Sequence, residues 1–396
     1  MESVHGPRRP AIDVRTRRLQ AEIAGHAPSG RVPPLPAIHD FWAQRYVAPK
    51  LFACGFPSLD ELVLDAVFGT CRRMVGEPAV VSLGAGACDA EVLLASRLLD
   101  RGVTDFVLTC VDPNPHLLAR GRQLARRYGV LPRLRFAVAE VGSWEPSPGT
   151  AVYLARDALH RVLELERLLD RLTQSLAPDG SLVACDRIGR NGHRMWPETL
   201  SIVETVWRAL PARCKFDHTL GRRDERCVNR DRSREAGDGV RAQDVLPLLL
   251  DRLHFGLFVA YGGTIDVFVD RAFGANFDPH READRGFIDE LALLDEAAID
   301  AGLVKPTHMI AVLRRRPVES RRFFRHRSPE FCVRYPDLEG GDPATARARG
   351  RLRRRPRTTS ARSCWRRSCG PPQRSGRLAK TRRPAAEPAS VPDPSP

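Results

Sequence analysis

The stretch Val80–Ala95, VVSLGAGACDAEVLLA, decides the fold. It begins in a short β-branched run, Pro78–Leu83, and enters a helical pattern, Asp89–Asp100, with Gly84 and Gly86 between the two. Glycines at such a junction let the backbone approach a ligand closely. The N-terminus of the helix adds unpaired N–H groups and the positive end of a dipole. The stretch therefore predicts a ligand-binding turn between a strand and a helix.

The alternation of strand and helix continues on the C-terminal side of this turn. The next predicted strands are Asp105–Val111, Leu134–Ala139, Thr150–Ala155 and Ser181–Cys185, and the helices between them are Pro115–Tyr128 and Leu159–Leu176. Strands that alternate with helices form parallel βαβ units. The predicted fold class is therefore α/β, with a doubly wound, mostly parallel sheet.

The chain as a whole is predicted to have five segments. They are a mobile leader at 1–36, a helical cover at 37–75, a cofactor-binding core at 76–188, a substrate or lid segment that completes the sheet at 189–316, and a disordered Arg- and Pro-rich tail at 317–396. The tail is assigned as disordered because it has no hydrophobic periodicity and too little apolar surface to bury.

The net charge of +15 points at first to a nucleic-acid partner. Its distribution changes that interpretation, because residues 343–396 hold 15 basic and 2 acidic residues. The first 342 residues are left with a net charge of +2. A nucleic-acid partner is therefore unlikely for the folded part and conceivable only for the tail.

Features that are missing from the sequence bear on the cellular compartment, on membrane association and on metal binding. The N-terminal residues have no apolar core of a signal peptide, and no apolar run approaches the roughly 18–20 residues of a membrane span. The ten cysteines form no CxxC pair, and no Cys/His pairs show zinc-ligand spacing. We therefore expect a cytoplasmic protein with reduced thiols, no membrane association and no metal, and the oligomeric state stays open.

The glycine turn admits two cofactor classes on its residues alone. A dinucleotide site requires a third glycine in G-x-G-x-x-G, and Asp89 stands in that position after Gly84 and Gly86. A carboxylate there would repel a pyrophosphate, which disfavours an NAD-dependent oxidoreductase. We expect Asp89 to cap the following helix instead.

At this point the chain resembles the class I S-adenosylmethionine-dependent methyltransferases, over about residues 76–188 and more loosely to about 315. SLGAGAC matches two glycines of the family's acidic-x-Gly-x-Gly-x-Gly loop and departs from it at Ser82 and Cys88. The strand-four to strand-five passage, LARDALHRVLELERLLDRLTQSLAPDGSLVACD, also resembles the family. The resemblance implies a seven-stranded sheet whose last strand is antiparallel, with HFGLFVAYGG and THMIAVLRR as its last two strands in sequence.

The resemblance also implies a cofactor, S-adenosylmethionine, and residues to bind it. Asp112 matches the acidic residue that bonds both ribose hydroxyls, a role that suits a carboxylate because it accepts two hydrogen bonds at once. Glu140 occupies the place where the family often has an Asp beside the adenine. The expected cofactor-binding residues are Ser82, Gly84, Ala85, Gly86, Asp112, Pro113, Glu140, Val141 and Ala155.

Methyl transfer requires in-line attack on a sulfonium, and a base is needed only for a hydroxyl or a protonated amine. The candidate catalytic residues are His160, His193 and Asp186. Each also has a non-catalytic interpretation: His160 as a packing residue, His193 as an ordinary loop residue and Asp186 as a capping or salt-bridged carboxylate. Asn191, His193 and Trp196 share the loop after the fifth strand and are expected to bind substrate, although Trp196 could simply anchor the loop.

The leading hypothesis is methyl transfer to an O or N atom of a small-molecule acceptor. An RNA methyltransferase that uses the basic tail is the alternative, but the chain lacks the Asn/Asp-Pro-Pro-aromatic tetrapeptide and the Pro-Cys pair of base-modifying enzymes. A catalytically silent, cofactor-binding scaffold is a third possibility, because Ser82, Cys88 and Glu140 depart from the family pattern.

Overall fold

The computed structural model describes residues 34–74, 76–235 and 238–335. The chain divides into two units, Met1–Gly340 and Gly341–Pro396, and the second lies wholly outside the described residues. The predictions of a mobile leader, over residues 1–33, and of a disordered tail, over residues 336–396, therefore fall outside the described residues as well.

A single large sheet forms the centre of the described structure. Its strands and a separate small hairpin are, in chain order, β1 (Ala79–Leu83), β2 (Val107–Asp112), β3 (Leu134–Val138), β4 (Thr150–Arg156), β5 (Leu176–Arg187), β6 (Phe216–Asp217), β7 (Arg222–Arg223), β8 (His254–Tyr261), β9 (His308–Arg314) and β10 (Arg322–Phe323). Eight of them lie in the order β10-β8-β9-β5-β4-β1-β2-β3, and β6 pairs with β7. Within this eight-stranded sheet of the described residues, β9 alone runs antiparallel to its neighbours, β5 and β8. The predicted fold class is confirmed, with β10 as an eighth strand at the edge.

Helices cover both faces of this sheet. They are α1 (Ala37–Trp42), α2 (Ala48–Ala53), α3 (Leu59–Cys71), α4 (Asp89–Asp100), α5 (Pro115–Arg127), α6 (Leu165–Ser175), α7 (Pro197–Ala209), α8 (Arg232–Glu235), α9 (Ala242–Arg252), α10 (Asp266–Val269), α11 (Glu282–Asp300) and α12 (Pro329–Cys332). The segment assigned to a helical cover contains α1, α2 and α3, with a π-helical turn at Ala43–Val47. No helix in the described ranges is both long and apolar enough to cross a membrane.

The strands are apolar on both sides because both faces of the sheet are buried. Val80 packs into the core on one face and its neighbour Val81 into the core on the other. Val152 and Tyr153 of β4 divide between the two cores in the same way. Successive side chains of a strand point to opposite faces, so a sheet covered on both sides requires near-continuous apolar runs.

The prediction that disorder begins at residue 317 is wrong for residues 317–335. This segment contains β10 and α12, and the Arg327 side chain is fully buried. Its guanidinium pairs with Glu296 at 2.8 Å and Asp300 at 2.7 Å. A buried arginine with two carboxylate partners has its charge compensated, so an Arg-rich segment can order against the fold.

The helix predicted over Leu159–Leu176 begins only at Leu165. The backbone N–H groups of Ala158 and Leu159 donate to Asp186 Oδ2 at 3.0 and 2.7 Å. These bonds hold the residues after β4 in an irregular turn against β5, and the helix starts once the chain has left that carboxylate.

Asp295 is a buried carboxyl group on α11. It is 2% exposed, and its Oδ1 accepts the N–H of Thr264 at 2.6 Å. Burial, reinforced by the nearby charge of Asp266, raises the pKa of Asp295 to about 7. The folded state therefore holds a proton on this group at pH values where the unfolded chain has lost it.

The substitution Asp295→Asn is expected to stabilise the protein increasingly as the pH rises from about 4 to about 7. The wild type loses stability over this window because its folded pKa lies above the unfolded value near 4, with an upper bound of about 4 kcal/mol. Urea unfolding at several pH values measures the effect. Asp105→Asn, at an exposed site, should show no such trend, and parallel curves for Asp295→Asn and wild type would contradict the assignment.

Candidate functional site

The glycine turn between β1 and α4 has the open backbone that the sequence suggests. Gly84 and Gly86 have φ values of +69° and +56°. A Cβ atom at Gly84 would approach the Ala158 Cβ to 3.2 Å, whereas one at Gly86 would meet no atom within 4 Å. Open space thus lies beside Gly86, where a ligand can contact the backbone directly.

Cys88 occupies the position of the third glycine in the family pattern, and its backbone adopts the left-handed conformation that favours glycine. Its φ is +59°, which is uncommon for a residue with a side chain. Helix α5 passes close by, since a Cβ atom at Gly121 would lie 2.8 Å from both Cβ and Sγ of Cys88. The turn therefore keeps a glycine-like backbone at Cys88, and Gly121 provides the space for its side chain. The prediction that Asp89 caps α4 is wrong: Asp89 is exposed and is the first residue of the helix, and the N-cap is Cys88, whose side chain makes no capping bond to the helix.

Asp112 connects the glycine turn to the end of β2. Its Oδ2 accepts the N–H of Gly86 and its Oδ1 accepts the N–H of Asn114, both at 2.8 Å. The residue is 7% exposed. Two fixed hydrogen bonds set the carboxylate in one orientation at the edge where the parallel strands end.

Ser82 is buried and does not reach the surface of the turn. Its Oγ and Oε1 of Glu91, from α4, lie 2.8 Å apart in a hydrogen bond. Burial raises the pKa of Glu91. An acidic group from the helix thus stands beside the strand position where the family pattern has one. Glu91 could not be recognised from the sequence, because nothing in a helical pattern marks a carboxyl group that points back at the preceding strand.

The other expected cofactor residues divide into two groups. Ala85, Pro113, Glu140 and Val141 are partly exposed on the turns that follow β1, β2 and β3. Ala155 is fully buried within β4, where it pairs with Leu83 and Ala184. The structure therefore does not bring the Ala155 side chain to the glycine turn; Ala158 is the residue that contacts Gly84.

Asp186 and His160 form a buried pair at the ends of β5 and β4. Nδ1 of His160 lies 2.6 Å from Asp186 Oδ1, and the two side chains are 1% and 0% exposed. Burial by itself lowers the pKa of His160, but the charges and hydrogen bonds of Asp186 and Asp238 outweigh it and raise the pKa to about 9. The pKa of Asp186 is lowered, because its pairing with His160 outweighs burial. The carboxylate faces the backbone and His160 rather than a cavity, which fits a positioning role.

Asp238 joins the two candidate histidines. Its Oδ1 lies 3.1 Å from His160 Nε2, and its Oδ2 lies 3.1 Å from His193 Nε2. The rings of the two histidines meet edge to face, with centroids 5.4 Å apart. Burial lowers the pKa of His193, so this ring is neutral where His160 is charged. Asp238 lies in a polar segment without periodicity, and no signal in the sequence marks it.

The loop that carries His193 is held in an unusual conformation. Gly192 and His193 both have positive φ values, 70° and 55°. The Gly192 N–H donates to Gly239 O at 2.8 Å, and the Gln243 N–H donates to Asn191 Oδ1 at 3.1 Å. These bonds attach the loop to the start of α9. Asn191, expected to bind substrate, therefore fixes the loop and is not among the residues that line the cavity described next.

A cavity of about 410 Å³ opens beside this loop. Its wall includes five arginines and five aspartates; they are Arg187, Arg190, Arg194, Arg230, Arg232, Asp217, Asp224, Asp238, Asp266 and Asp270. His193 and Trp196 also line it. Cavities of this size hold small molecules.

Two of the cavity arginines lack a carboxylate partner in the described part of the chain. Arg187, at the end of β5, is half-buried, and no hydrogen bond or ion pair joins its side chain to the described residues. Arg190 donates to the Met195 carbonyl at 3.2 Å and lies 5.4 Å from the ring of Trp196. Burial and the neighbouring Arg194 lower the pKa of Arg190. The guanidinium groups of Arg187 and Arg190 therefore form no hydrogen bond with a carboxylate in the described residues, although Asp266 lies in the same cavity wall as Arg187.

No protein-family model matches this chain, whereas curated proteins and solved structures similar to it are known. A trans-aconitate 2-methyltransferase of Delftia acidovorans is 38% identical over 106 residues, which are 26% of this chain and 35% of that protein. A second, from Methylobacterium nodulans, is 32% identical over 139 residues, or 34% of this chain and 50% of that protein. The chain thus spans a third to a half of the length of the curated relatives it matches.

Among solved structures, geranyl diphosphate C-methyltransferase from Streptomyces coelicolor A3(2), in complex with Mg²⁺, geranyl diphosphate and S-adenosyl-L-homocysteine, is 13% identical. The alignment covers 65% of this chain and 76% of that one, with a TM-score of 0.40. A methyltransferase from Geobacter sulfurreducens, in complex with S-adenosyl-L-homocysteine, is 15% identical over 64% of this chain and 90% of that one, with a TM-score of 0.34. Both likenesses are loose.

Proposed function

We propose that this chain, a class I S-adenosylmethionine-dependent methyltransferase by its sheet topology and its curated relatives, transfers a methyl group to a carboxylate oxygen of a small anionic acceptor. The observation that carries the proposal is Arg187, in the cavity wall at the end of β5, whose side chain forms no hydrogen bond or ion pair with the described residues.

The cofactor fits the carboxyl edge of the sheet. Gly84 and Gly86 would let the backbone approach it, and the fixed carboxylate of Asp112 would accept from the ribose hydroxyls. Glu140 would lie on the side of the adenine, after β3. When bound, S-adenosylmethionine supplies a methyl group on a positively charged sulfur. We retain Ala85, Pro113 and Val141 as neighbours of the cofactor and leave Ala155 out.

The acceptor would bind in the cavity beside β5. Guanidinium groups bind carboxylates with two parallel hydrogen bonds, and Arg187 and Arg190 have no carboxylate in the described structure to satisfy them. Trp196 is buried at 4% exposure and holds Arg190 by a cation–π contact. The relatives are named for trans-aconitate, a tricarboxylate, which agrees with an anionic acceptor for this chain.

A carboxylate acceptor makes a general base unnecessary, because the attacking oxygen is already unprotonated. His193 is the group that could take a proton from a hydroxyl acceptor, since its ring is neutral and lines the cavity. His160 and Asp186 are buried behind it, so we assign them a positioning role.

A screen with isotopically labelled S-adenosylmethionine tests the proposal. The full chain is incubated with di- and tricarboxylates, their amides, alcohols and amines, and the product is treated with base. We expect label in carboxylates alone, released as methanol, because a methyl ester is base-labile. A base-stable product would contradict carboxylate methylation. Cofactor binding without turnover of any acceptor would support the catalytically silent scaffold. If the chain did not bind the cofactor, the methyltransferase hypothesis would be wrong.

Removal of the basic tail tests the RNA alternative, but a cut at residue 316 is unsuitable for this purpose. Such a cut removes β10 and the buried Arg327, so lost activity would report damage to the fold. A chain that ends at residue 335 keeps them and removes the basic tail. Undiminished activity in that chain would exclude a role for the tail in substrate binding.

A further inference from the structure

We propose that His160, His193 and Asp238 form a binding site for a divalent transition metal of the Zn²⁺ class. The three side chains come from three separate turns, after β4, after β5 and before α9. One potential ligand atom of each lies within 4.8 Å of those of the other two. The sequence shows no ligand spacing because the fold, rather than a local motif, brings them together.

The distances match those of ligands around one metal ion. Asp238 places one carboxylate oxygen 3.1 Å from His160 Nε2 and the other 3.1 Å from His193 Nε2. Zinc binds imidazole nitrogen and carboxylate oxygen at about 2.0–2.2 Å in tetrahedral geometry, which separates neighbouring ligand atoms by about 3.3 Å. The two distances involve different oxygens of Asp238, and all three ligand atoms lie within 4.8 Å of one another, so the side chains would draw together around the ion.

His193 supplies the observation that points to a missing ligand. Its side chain is 9% exposed, and its Nε2 atom is buried without a hydrogen-bond partner among the described residues. The atom nevertheless lies 3.1 Å from Asp238 Oδ2, in a geometry that does not make a hydrogen bond. A cation shared by this nitrogen and the carboxylate oxygen would satisfy both atoms.

Asp186 gives His160 the support that metal-binding histidines have. Nδ1 of His160 lies 2.6 Å from Asp186 Oδ1, and Nε2 faces Asp238. A metal bound at Nε2 would replace the proton on that nitrogen, and the proton would pass to solvent. Metal-ligating histidines almost always donate their other ring N–H to a carboxylate or carbonyl, which fixes the tautomer and the ring orientation. Asp186 itself is held by the N–H groups of Ala158, Leu159 and Arg187.

Two nitrogens and one carboxylate oxygen suit zinc and its neighbours better than magnesium or calcium, which prefer oxygen alone. His193 and Asp238 both line the cavity, so the fourth position would face it. An acceptor oxygen that enters the cavity would meet that position; this link rests on the proposed function, whereas the metal site does not.

Arg161 is the group that a metal would have to displace. Its Nε lies 3.3 Å from both His160 Nε2 and Asp238 Oδ1. The side chain is 46% exposed, so it can turn outward. A cation already drawn to this point shows that the electrostatic field there favours positive charge, and it also makes Arg161 a competitor for the metal.

Direct metal titration of the full-length apo protein, without cofactor or acceptor, tests the site. Zn²⁺ is added against a chromogenic chelator, and Co²⁺ is used as a spectroscopic probe of ligand type and geometry. We expect one equivalent bound, a tetrahedral Co²⁺ spectrum with imidazole ligation, and at least 100-fold weaker binding in His193→Ala and Asp238→Ala. Arg161→Ala should bind more tightly than wild type.

His218→Ala is the matched control, because His218 is an exposed histidine paired with Asn276, outside the cluster. Thermal melting and cofactor titration show whether each variant is folded, separately from metal binding. Absence of stoichiometric metal binding in wild type would overturn the proposal, as would equal affinities for wild type and both ligand variants. Cofactor binding or turnover without metal would leave the proposed function standing while the metal site fails.

Discussion

The substitution Asp112→Ala is expected to weaken S-adenosylmethionine binding by about ten-fold or more. The variant loses the carboxylate that would accept from the ribose hydroxyls, and a hydrogen bond to a charged group is worth about 1.5–3 kcal/mol. A change of about 1.4 kcal/mol already corresponds to a factor of ten. It also loses the bond to the Gly86 N–H, so the glycine turn is released together with the ligand contact.

Calorimetric titration of the folded variant with S-adenosylmethionine measures this effect. Asp112→Asn keeps the size of the side chain and one carbonyl acceptor, and we expect it to fall between wild type and Asp112→Ala. Asp105→Ala, at an exposed site just before β2, is the control. Wild-type affinity in a folded Asp112→Ala protein would show that the ribose assignment is wrong.

The substitution Arg187→Met is expected to raise the KM for a carboxylate acceptor by about 10- to 100-fold. The reason is the loss of a charge-assisted hydrogen-bond donor, again about 1.5–3 kcal/mol. Methionine keeps the length and apolar stem of the side chain, so the cavity wall retains its shape. The affinity for S-adenosylmethionine should stay at the wild-type value, because Arg187 lines the proposed acceptor cavity, whose lining does not include Gly84, Gly86 or Asp112.

Steady-state kinetics with the acceptor found in the screen measures this change. Arg187→Lys should recover only part of the loss, since an ammonium group cannot make two parallel bonds to a carboxylate. Arg316→Met, at a site 67% exposed and paired with Asp179, is the matched control. If Arg187→Met and Arg316→Met leave the KM equally unchanged, the anionic acceptor pocket must lie elsewhere.

The position of the candidate cofactor site could be predicted because its residues lie on turns that directly follow parallel strands. Gly84, Gly86 and Asp112 belong to two consecutive strand–turn–helix units, and a turn after a parallel strand is placed at the carboxyl edge whatever the side chains around it do. Their arrangement depends on short stretches of chain. The structure adds Glu91, whose carboxyl group accepts a hydrogen bond from Ser82 on the other side of the glycine turn.

The candidate acceptor site could be predicted only in outline. His160 and His193 were singled out because they follow strands at the same edge, and the structure brings their rings together. Asp238, which joins them, lies 45 residues beyond His193 in a segment without periodicity. Arg187 could not be distinguished from the other arginines, because lacking a partner is a property of the packed chain.

The doubly wound, mostly parallel class of the sheet was determined by the sequence, since apolar runs that alternate with helices can bury both faces in such a sheet. The order of the strands and the edge strand β10 came from the structure. The sequence also placed the glycine turn and Asp112, which need only local geometry. The tertiary structure decided which charges meet: it ordered residues 317–335 around the buried Arg327, joined Asp238 to the two histidines, and left Arg187 facing the cavity. Charge pairing depends on distances between segments remote in the chain, and those distances exist only once the core has packed.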